Sequence, residues 1–410
     1  MLDAVHMLVA AFACALAVPA AVVFLQAMAS LIAPNRGKPC PERPRPSAAV
    51  LVPAHNEAIG IAATVAAVRA QMHVGDRLLV VADNCTDDTA TVAAAAGADV
   101  VVRSDPERRG KGYALDFGVH ALAPQPPSVL VIIDADCALG EGCLDSLVRE
   151  CAFVKRPVQA LYLMHSPADA GRGARLGELA WLLRNWARPL GWHRLGFPCQ
   201  LMGTGMAFPY EPLRTMPLAT GNIVEDLRLG IDFAAAGSPP VFFEHAQVHS
   251  TFPSRTVDLQ TQRKRWELGH LATIKQGVPR LVVEAVRQRR PALLAMALDL
   301  SVPPLALLVL MLVLVGVSST LLGLFGQPVW PAMLAVAAFS MVAAAVLLTW
   351  RRFGRGVVTL AELLAVPVYM LAKLPTYLHW LLRRKMGWVR TARDAEPPPG
   401  KKSEAKESTS

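Results

Sequence analysis

Asp134 and Asp136 are separated by one residue and follow directly on the apolar run Val129–Ile133. On an extended chain, residues two apart point the same way, so both carboxylates can face one spot. Two like charges so close are costly unless a cation lies between them. Hard carboxylate oxygens suit Mg2+ or Mn2+, which commonly bridge to substrate phosphates. Three other polar stretches close short apolar runs: His55-Asn56-Glu57 after Pro53-Ala54, Asp83 through Thr89, and Arg108-Arg109-Gly110-Lys111-Gly112. Asn56 reads as a cap for the helix that follows. Asp87 and Asp88 read as partners of a helix dipole, whereas Asp83 ends its run with no helical role. Lys111 between two glycines is not a Walker loop, which needs Ser or Thr after the lysine, but a lysine entering a helix can meet an anion. Further on, Ile223-Val224-Glu225-Asp226 is an acidic helix start in which Glu225 serves as a dipole partner. Gln262-Arg263-Lys264-Arg265-Trp266 is a basic helical segment of the kind that faces water or lipid headgroups.

These residues need a frame that gathers them. Ala48–Pro53, Arg77–Asp83, Asp99–Arg103 and Ser128–Asp134 read as strands, with helical stretches near 57–71, 86–96, 110–122 and 141–153. Alternation of apolar strands with Ala-rich helices implies a parallel sheet covered on both faces. Ligands of such sheets bind beyond the carboxyl ends of the strands, where the polar stretches fall.

Apolar segments flank this α/β part. From Ala4 to Ala33 there is no Asp, Glu, Lys or Arg, enough to cross a hydrocarbon core that takes about 20 helical residues. The positive charges follow the run (Arg36, Lys38, Arg43, Arg45) rather than precede it. That pattern favours a retained anchor, residues 1–34, with its carboxyl end cytoplasmic, over a cleaved leader. Between Gln71 and Arg290 charges are frequent, and a cytosolic domain is expected at 46–275. A membrane block at 291–385 follows. Pro291–Phe325 holds a single charge, Asp299, and Pro303–Pro304 should bend it; the uncharged run through Trp350 returns to Arg351, Arg352 and Arg355. Val357–Leu382 contains Glu362, Lys373 and two prolines and reads as interfacial or as a third span. Residues 394–410 have a disorder-prone composition. Between 178 and 197, Trp181, Trp186, Trp192 and Phe197 mix with Arg184, Arg188 and Arg194. This suits a membrane–water boundary and could hold a lipid-linked acceptor; packing of an amphipathic helix explains it equally.

The chain of 410 residues is 53% hydrophobic and 18% charged with net charge +9, and its mean hydropathy is +0.36. An ordinary soluble enzyme carries about 25% charged residues, and a disordered chain is less apolar than this. The basic excess points to anionic headgroups or phosphorylated substrates. Nucleic acid is not expected, since zinc-finger spacing and an aromatic-interleaved basic stripe are missing. Seven scattered cysteines without a CxxC pair fit reduced cytosolic thiols.

Taken in order, the motifs resemble the family-2 inverting glycosyltransferases, in particular the membrane-embedded branch that includes cellulose and hyaluronan synthases. They are VPAHNE, Asp83 in ADNCTDDT, Lys111 in RGKGYA, DAD at 134–136, VED at 224–226 and QRKRW at 262–266. The resemblance implies an α/β Rossmann-like nucleotide-sugar domain of GT-A type flanked by transmembrane helices. It implies Glu57, Asp83 and Lys111 around the nucleotide, and Asp134 and Asp136 on the diphosphate and its Mg2+ or Mn2+. It further implies Asp226 as general base, Arg263 and Arg265 on the diphosphate side, Gln262 and Trp266 at the acceptor sugar, and Gly203-Thr204-Gly205 as a small-residue acceptor loop. The implied reaction is transfer from a nucleotide sugar, a UDP-sugar being favoured, to a lipid-linked or growing glycan at the cytoplasmic face of the inner or plasma membrane. A processive polysaccharide synthase is the alternative enzyme, and a nucleotide-binding subunit of a membrane transport or scaffold complex the alternative of another class. Two departures stand out: the usual adjacent Asp pair at the second strand is Ala82–Asp83, and the chain carries fewer flanking helices than the large synthases.

Overall fold

The computed structural model describes residues 1–33, 45–167, 169–253, 256–364 and 366. Helix α1 (Leu2–Ala29) is followed by β1 (Ala48–Ala54), α2 (Ile61–Arg69), β2 (Arg77–Asp83), α3 (Thr89–Ala95), β3 (Asp99–Arg103), α4 (Lys111–Ala121) and β4 (Val129–Ile132). The strands β3-β2-β1-β4 lie side by side and are parallel. Their alternating residues are buried on both sides. Val50 and Val52 of β1 join Ile61, Val65 and Val68 of α2, while Ala49 and Leu51 pack with Leu115 and Val119 of α4 on the other face. This is why the runs are continuously apolar rather than alternating with polar residues.

The second half of the sheet departs from the all-parallel expectation. It contains β5 (Ala138–Leu139), α5 (Cys143–Val154), β6 (Val158–His165), α6 (Arg172–Leu182), a π-helical turn Leu183–Ala187, α7 (Arg188–Arg194), β7 (Met206–Pro209), α8 (Tyr210–Arg214), α9 (Glu225–Ala235) and β8 (Val241–Thr251). The order continues β4-β7-β6-β8-β5, with β7 antiparallel to both β4 and β6, β8 parallel to β6, and β5 antiparallel to β8. The sheet is therefore mixed. The parallel half sets one edge at which β1, β2 and β4 all end.

The remaining described elements are α10 (Thr256–Arg287), α11 (Pro291–Leu300), α12 (Leu305–Gly323), α13 (Trp330–Thr349) with a π-helical turn Trp350–Gly354, and α14 (Leu360–Leu364). Among the described residues three helices are long and apolar enough to cross a membrane: α1, α12, and α13 with its π-helical turn. The apolar stretch from Pro291 to Phe325 is two helices rather than one bent span, because Pro303 and Pro304 lack amide hydrogens and force the preceding residue out of the helical region. The membrane-length part begins at Leu305, which leaves Asp299 outside it. The expected third segment reaches beyond the described residues from 367 onward, as does the tail at 394–410. The six described cysteines are free thiols.

A small-residue seam joins α1 to α13: Ala13, Ala20 and Ala27 recur every seven residues and are all but fully buried, as are Ala338 and Ala345 opposite. Small side chains let apolar helices approach closely. At α7 the approach is closer still, since a Cβ on Gly191 would lie 1.9 Å from the carbonyl oxygen of Gln26. A buried polar triad closes this junction. Arg188 donates to Gln26 at 2.8 Å and to the Asp299 carboxylate at 2.7 Å, and Gln26 donates to the same carboxylate at 2.6 Å. Removing one partner of a buried ion pair typically costs about 3–5 kcal/mol, because the other charge is left uncompensated. Asp299→Ala should therefore lower the thermal midpoint of the detergent-solubilised protein markedly, with Asp299→Asn losing less; an unchanged midpoint in Asp299→Ala would deny the triad its structural role.

Candidate active site

β4 ends at Ile132, and the chain then closes a turn in which the Cys137 amide donates to the Asp134 carbonyl at 3.1 Å. The two carboxylates thus meet through a turn, not through strand alternation as the spacing alone suggests. Ligand atoms of Asp134, Asp136 and Cys137 nonetheless lie within 4.8 Å of one another. The Cys137 thiol is pushed well above its ordinary range by burial and by the neighbouring Asp136 and Asp134, so the anionic oxygens of this group are those of the two carboxylates. Ser250 on β8 donates to Asp136 at 3.5 Å.

Lys111, the first residue of α4, reaches across to this turn. Its ammonium lies 2.5 Å from Asp134 Oδ1 and 3.8 Å from Glu225 Oε1, and it donates to the Gly203 carbonyl at 2.7 Å. Gly203 has φ +91, a left-handed backbone that turns this carbonyl toward the lysine; such φ is cheap only for glycine. A Cβ at Gly203 would sit 3.5 Å from Asp226 Oδ2 and 3.8 Å from Lys111 Nζ, which brings Asp226 to the same point. Thr204 is fully buried and accepts from the Asp134 amide at 3.0 Å. The carbonyl of Gly205 accepts from the Ala160 amide of β6. Lys111, Asp134, Gly203, Thr204 and Asp226, found apart in the sequence, are therefore neighbours, with Asp136 two residues along the turn.

Glu225, read above as a dipole partner, belongs to this cluster as well. Burial pushes its carboxyl up to about 7, opposed by Lys111 and reinforced by Asp226 and Asp134. Burial raises Asp226 too, against the pull of Lys111 and Arg184. Burial works against the Lys111 ammonium, but Asp134 and Glu225 outweigh it and hold its pKa above the ordinary lysine value. A raised carboxyl pKa has a defined sign. The folded Glu225 keeps its proton where the unfolded chain, near 4.5, has lost it, so stability falls as pH rises from about 4.5 to about 7 and levels off above. With chelator present, the melting temperature should therefore drop between pH 5 and 8, and Glu225→Gln should flatten that drop. A wild-type melting temperature that climbs over this interval would contradict the assignment.

The other expected residues come from the ends of β1 and β2 and from α10. Asp83 ends β2, two strands from β4, a sheet distance of roughly 10 Å. It is buried and paired with Arg103 at 2.6 Å, and Asn84 also donates to it. Glu57 follows β1, and its amide donates to Thr89 at 2.7 Å. Asn56 does not cap α2. It takes φ +56 and bonds Thr86 instead, stitching the β1 and β2 loops together. On α10, Trp266 lies against Trp181 at 5.3 Å, and the Arg263 guanidinium sits over the Phe252 ring at 5.6 Å. Gln262 is one turn from Trp266, with its buried carbonyl oxygen unpaired among the described residues. Arg265 leaves the helix on another side and lines a groove with Asn222, Ile223 and Val224; residues two apart on a helix diverge by about 200°.

A family model described as Glycosyltransferase like family 2 matches residues 44–269. The chain is 46% identical over 101 residues to an uncharacterized glycosyltransferase of Mycobacterium tuberculosis and to one of Mycobacterium bovis, a stretch covering 25% of this chain and 42% of each relative. It thus spans less than half the length of the curated relatives it matches. Among solved structures, a mannosyltransferase from Pyrobaculum calidifontis in complex with GDP-Man and Mn2+ is similar over 91% of this chain and 95% of that one, at 20% identity and a TM-score of 0.50. A glucosyl-3-phosphoglycerate synthase from Mycobacterium tuberculosis, in complex with Mn2+, UDP and phosphoglyceric acid, aligns over 56% of this chain and 78% of that one at 24% identity and a TM-score of 0.36. The first of these likenesses speaks to a shared fold.

Proposed function

We propose that this chain, which belongs to the family 2-like glycosyltransferases, transfers one sugar with inversion from a nucleotide-sugar donor to a glycan or lipid-linked acceptor at the cytoplasmic face of the cell membrane. The observation that carries this reading is the meeting of Lys111, Asp134, Glu225 and Asp226 beside Gly203, at the sheet edge where Asp83 also ends its strand. The lone acid Asp83, with Glu57, is assigned to the nucleoside, a UDP-sugar being the first donor to test. Lys111 and one of the diverging arginines, Arg263 or Arg265, are assigned to the diphosphate. Gly203, Thr204, Gly205, Gln262 and Trp266 are assigned to the acceptor.

Asp134 and Asp136 would hold Mg2+ or Mn2+, an ion that stabilises the charge on a departing diphosphate. Their hard oxygens suit such an ion, and the mannosyltransferase of the same fold carries Mn2+ with its donor. A sugar hydroxyl holds its proton at neutral pH, so a placed base must accept it as attack begins. Asp226 is that base. Its raised pKa brings it closer to the operating pH, which favours proton transfer in both directions. Lys111 stays charged and offers its ammonium to the developing negative charge.

The reading takes α1, α12 and α13 as membrane spans. Arg287, Arg289 and Arg290 ahead of α11, and Arg351, Arg352 and Arg355 at the end of α13, argue that both ends of the α12–α13 pair are cytoplasmic. Three spans among the described residues support a single transfer over extrusion of a polymer, and product length separates the two. The decisive assay is a donor panel: membranes or purified protein are given UDP- and GDP-sugars with Mg2+, Mn2+ or chelator. Divalent-dependent release of one nucleoside diphosphate is expected; no release from any donor would overturn the reading.

A further inference from the structure

A cavity of about 630 Å3 lies between the α/β domain and the membrane helices, within the range of small-molecule sites. On the domain side it is bounded by α6, the π-helical turn after it and α10, and on the other side by α12 and α13. The lining is almost entirely apolar, and it includes Val313, Phe339 and Leu347, which are exposed on the outer surfaces of α12 and α13. The cavity therefore opens sideways, toward the space that lipid tails would fill around spanning helices.

Its polar lining comes from the domain side, with Arg184, Arg188, Arg263, Glu267 and His270, and from Thr349 on α13. Two of these groups are satisfied within the protein. Arg188 is held by Asp299 and Gln26, and His270, held neutral by burial and by Arg184, meets the Leu300 carbonyl at 3.2 Å. Arg184 differs. It is partly exposed along the cavity, and its pKa is lowered by burial and by Arg188. Among the described residues no acceptor lies within hydrogen-bond or ion-pair distance of it. Asp226, Asp299 and Glu267 attract it only from farther away. A guanidinium presents five donors in a fork that matches phosphate, and this one lines the cavity. The arrangement is a cation without its anion on the domain side of an apolar cavity, within electrostatic reach of Asp226.

We propose that this cavity binds the acceptor as a membrane lipid. Its hydrocarbon chain lies along α12 and α13, a phosphate of its headgroup takes the guanidinium of Arg184, and a hydroxyl beyond that phosphate meets Asp226. The inference rests on the reading of Asp226 as the base. The lipid hydroxyl oxygen forms the new bond to the anomeric carbon of the donor. The anomeric carbon–oxygen bond breaks with its electron pair leaving on the nucleoside diphosphate, and the hydroxyl proton passes to Asp226. The chain–phosphate–hydroxyl pattern is shared by glycerophospholipids with a polyol headgroup and by isoprenoid diphosphates carrying a sugar.

The test uses the full chain in phosphatidylcholine nanodiscs with the donor found above, following labelled sugar into extractable lipid. One arm adds phosphatidylinositol, a second an isoprenoid diphosphate-sugar, and a third an uncharged glycosyl diacylglycerol that offers hydroxyls without phosphate. Label is expected in the first or the second arm, which identifies the lipid, and not in the third. Arg184→Met should raise the lipid KM by about 10-fold or more, with kcat changed much less and donor affinity unaltered. Arg184→Lys should recover part of the loss, and Ala343→Trp, which fills the cavity from α13, should raise the same KM. Equal labelling of the uncharged lipid, or an unmoved KM in both Arg184→Met and Ala343→Trp, overturns the proposal. Donor hydrolysis by the wild type without any labelled lipid also overturns it while leaving the glycosyltransferase reading intact. If the wild type releases no nucleoside diphosphate under any condition, it is that reading which fails.

Discussion

Asp226→Asn should bind donor as the wild type does and turn over about 10²–10⁴-fold more slowly. The amide matches the carboxylate in size but cannot take up a proton, so the substitution removes a chemical capacity rather than a shape. Asp226 lies beside Gly203 and is raised by burial; a neutral amide there should not disturb the fold. Its neighbour Glu225 provides the control. Glu225 contacts Lys111 at 3.8 Å and is read as part of the electrostatic frame, so Glu225→Gln should lose far less activity than Asp226→Asn. Equilibrium binding of the donor together with single-turnover rates separates the two effects. Retained single-turnover chemistry in Asp226→Asn, or a larger loss in Glu225→Gln, would take the base role away from Asp226.

Asp136→Ala should abolish the gain in donor affinity that Mg2+ or Mn2+ produces. Even residues that merely orient metal ligands cost about 10–100-fold in metal affinity when changed, so loss of a ligand should match or exceed that. Asp136 is exposed and touches Ser250. Asp134→Ala should abolish the gain as well, but it also strips Lys111 of its nearest carboxylate and should change donor binding even under chelator. Calorimetric titration of nucleoside diphosphate with and without divalent ion distinguishes the pair. The same metal-dependent gain in Asp136→Ala as in the wild type would remove these acids from the metal site.

Local pattern carried the parallel half of the sheet. β2 and β3 span Arg77–Asp83 and Asp99–Arg103, the residues whose β-branched runs and polar ends mark them. The antiparallel half left weaker marks: β5 is two residues long, and its partner β8 is more than a hundred residues away, so no local periodicity announces the pairing. The acids at 134 and 136 were legible as a pair, although a turn rather than an extended strand unites them. Glu225 shows where sequence reasoning stops. An acid at a helix start has an adequate local explanation, and only the reach of Lys111 from another helix adds a second. Arg184 is the same case, since an arginine among tryptophans signals a boundary but not that its guanidinium lacks an acceptor among the described residues.

The hold of α7 on the first helix also bears on how the protein can be handled. With Gly191 against the backbone at Gln26 and Arg188 satisfied jointly by Gln26 and Asp299, the leading apolar helix is a packing partner of the enzyme and not a leash. Excising it to obtain a water-soluble fragment would strip a buried arginine of one of its acceptors. Grafting a generic hydrophobic stretch in its place would restore tethering to the bilayer without restoring that acceptor.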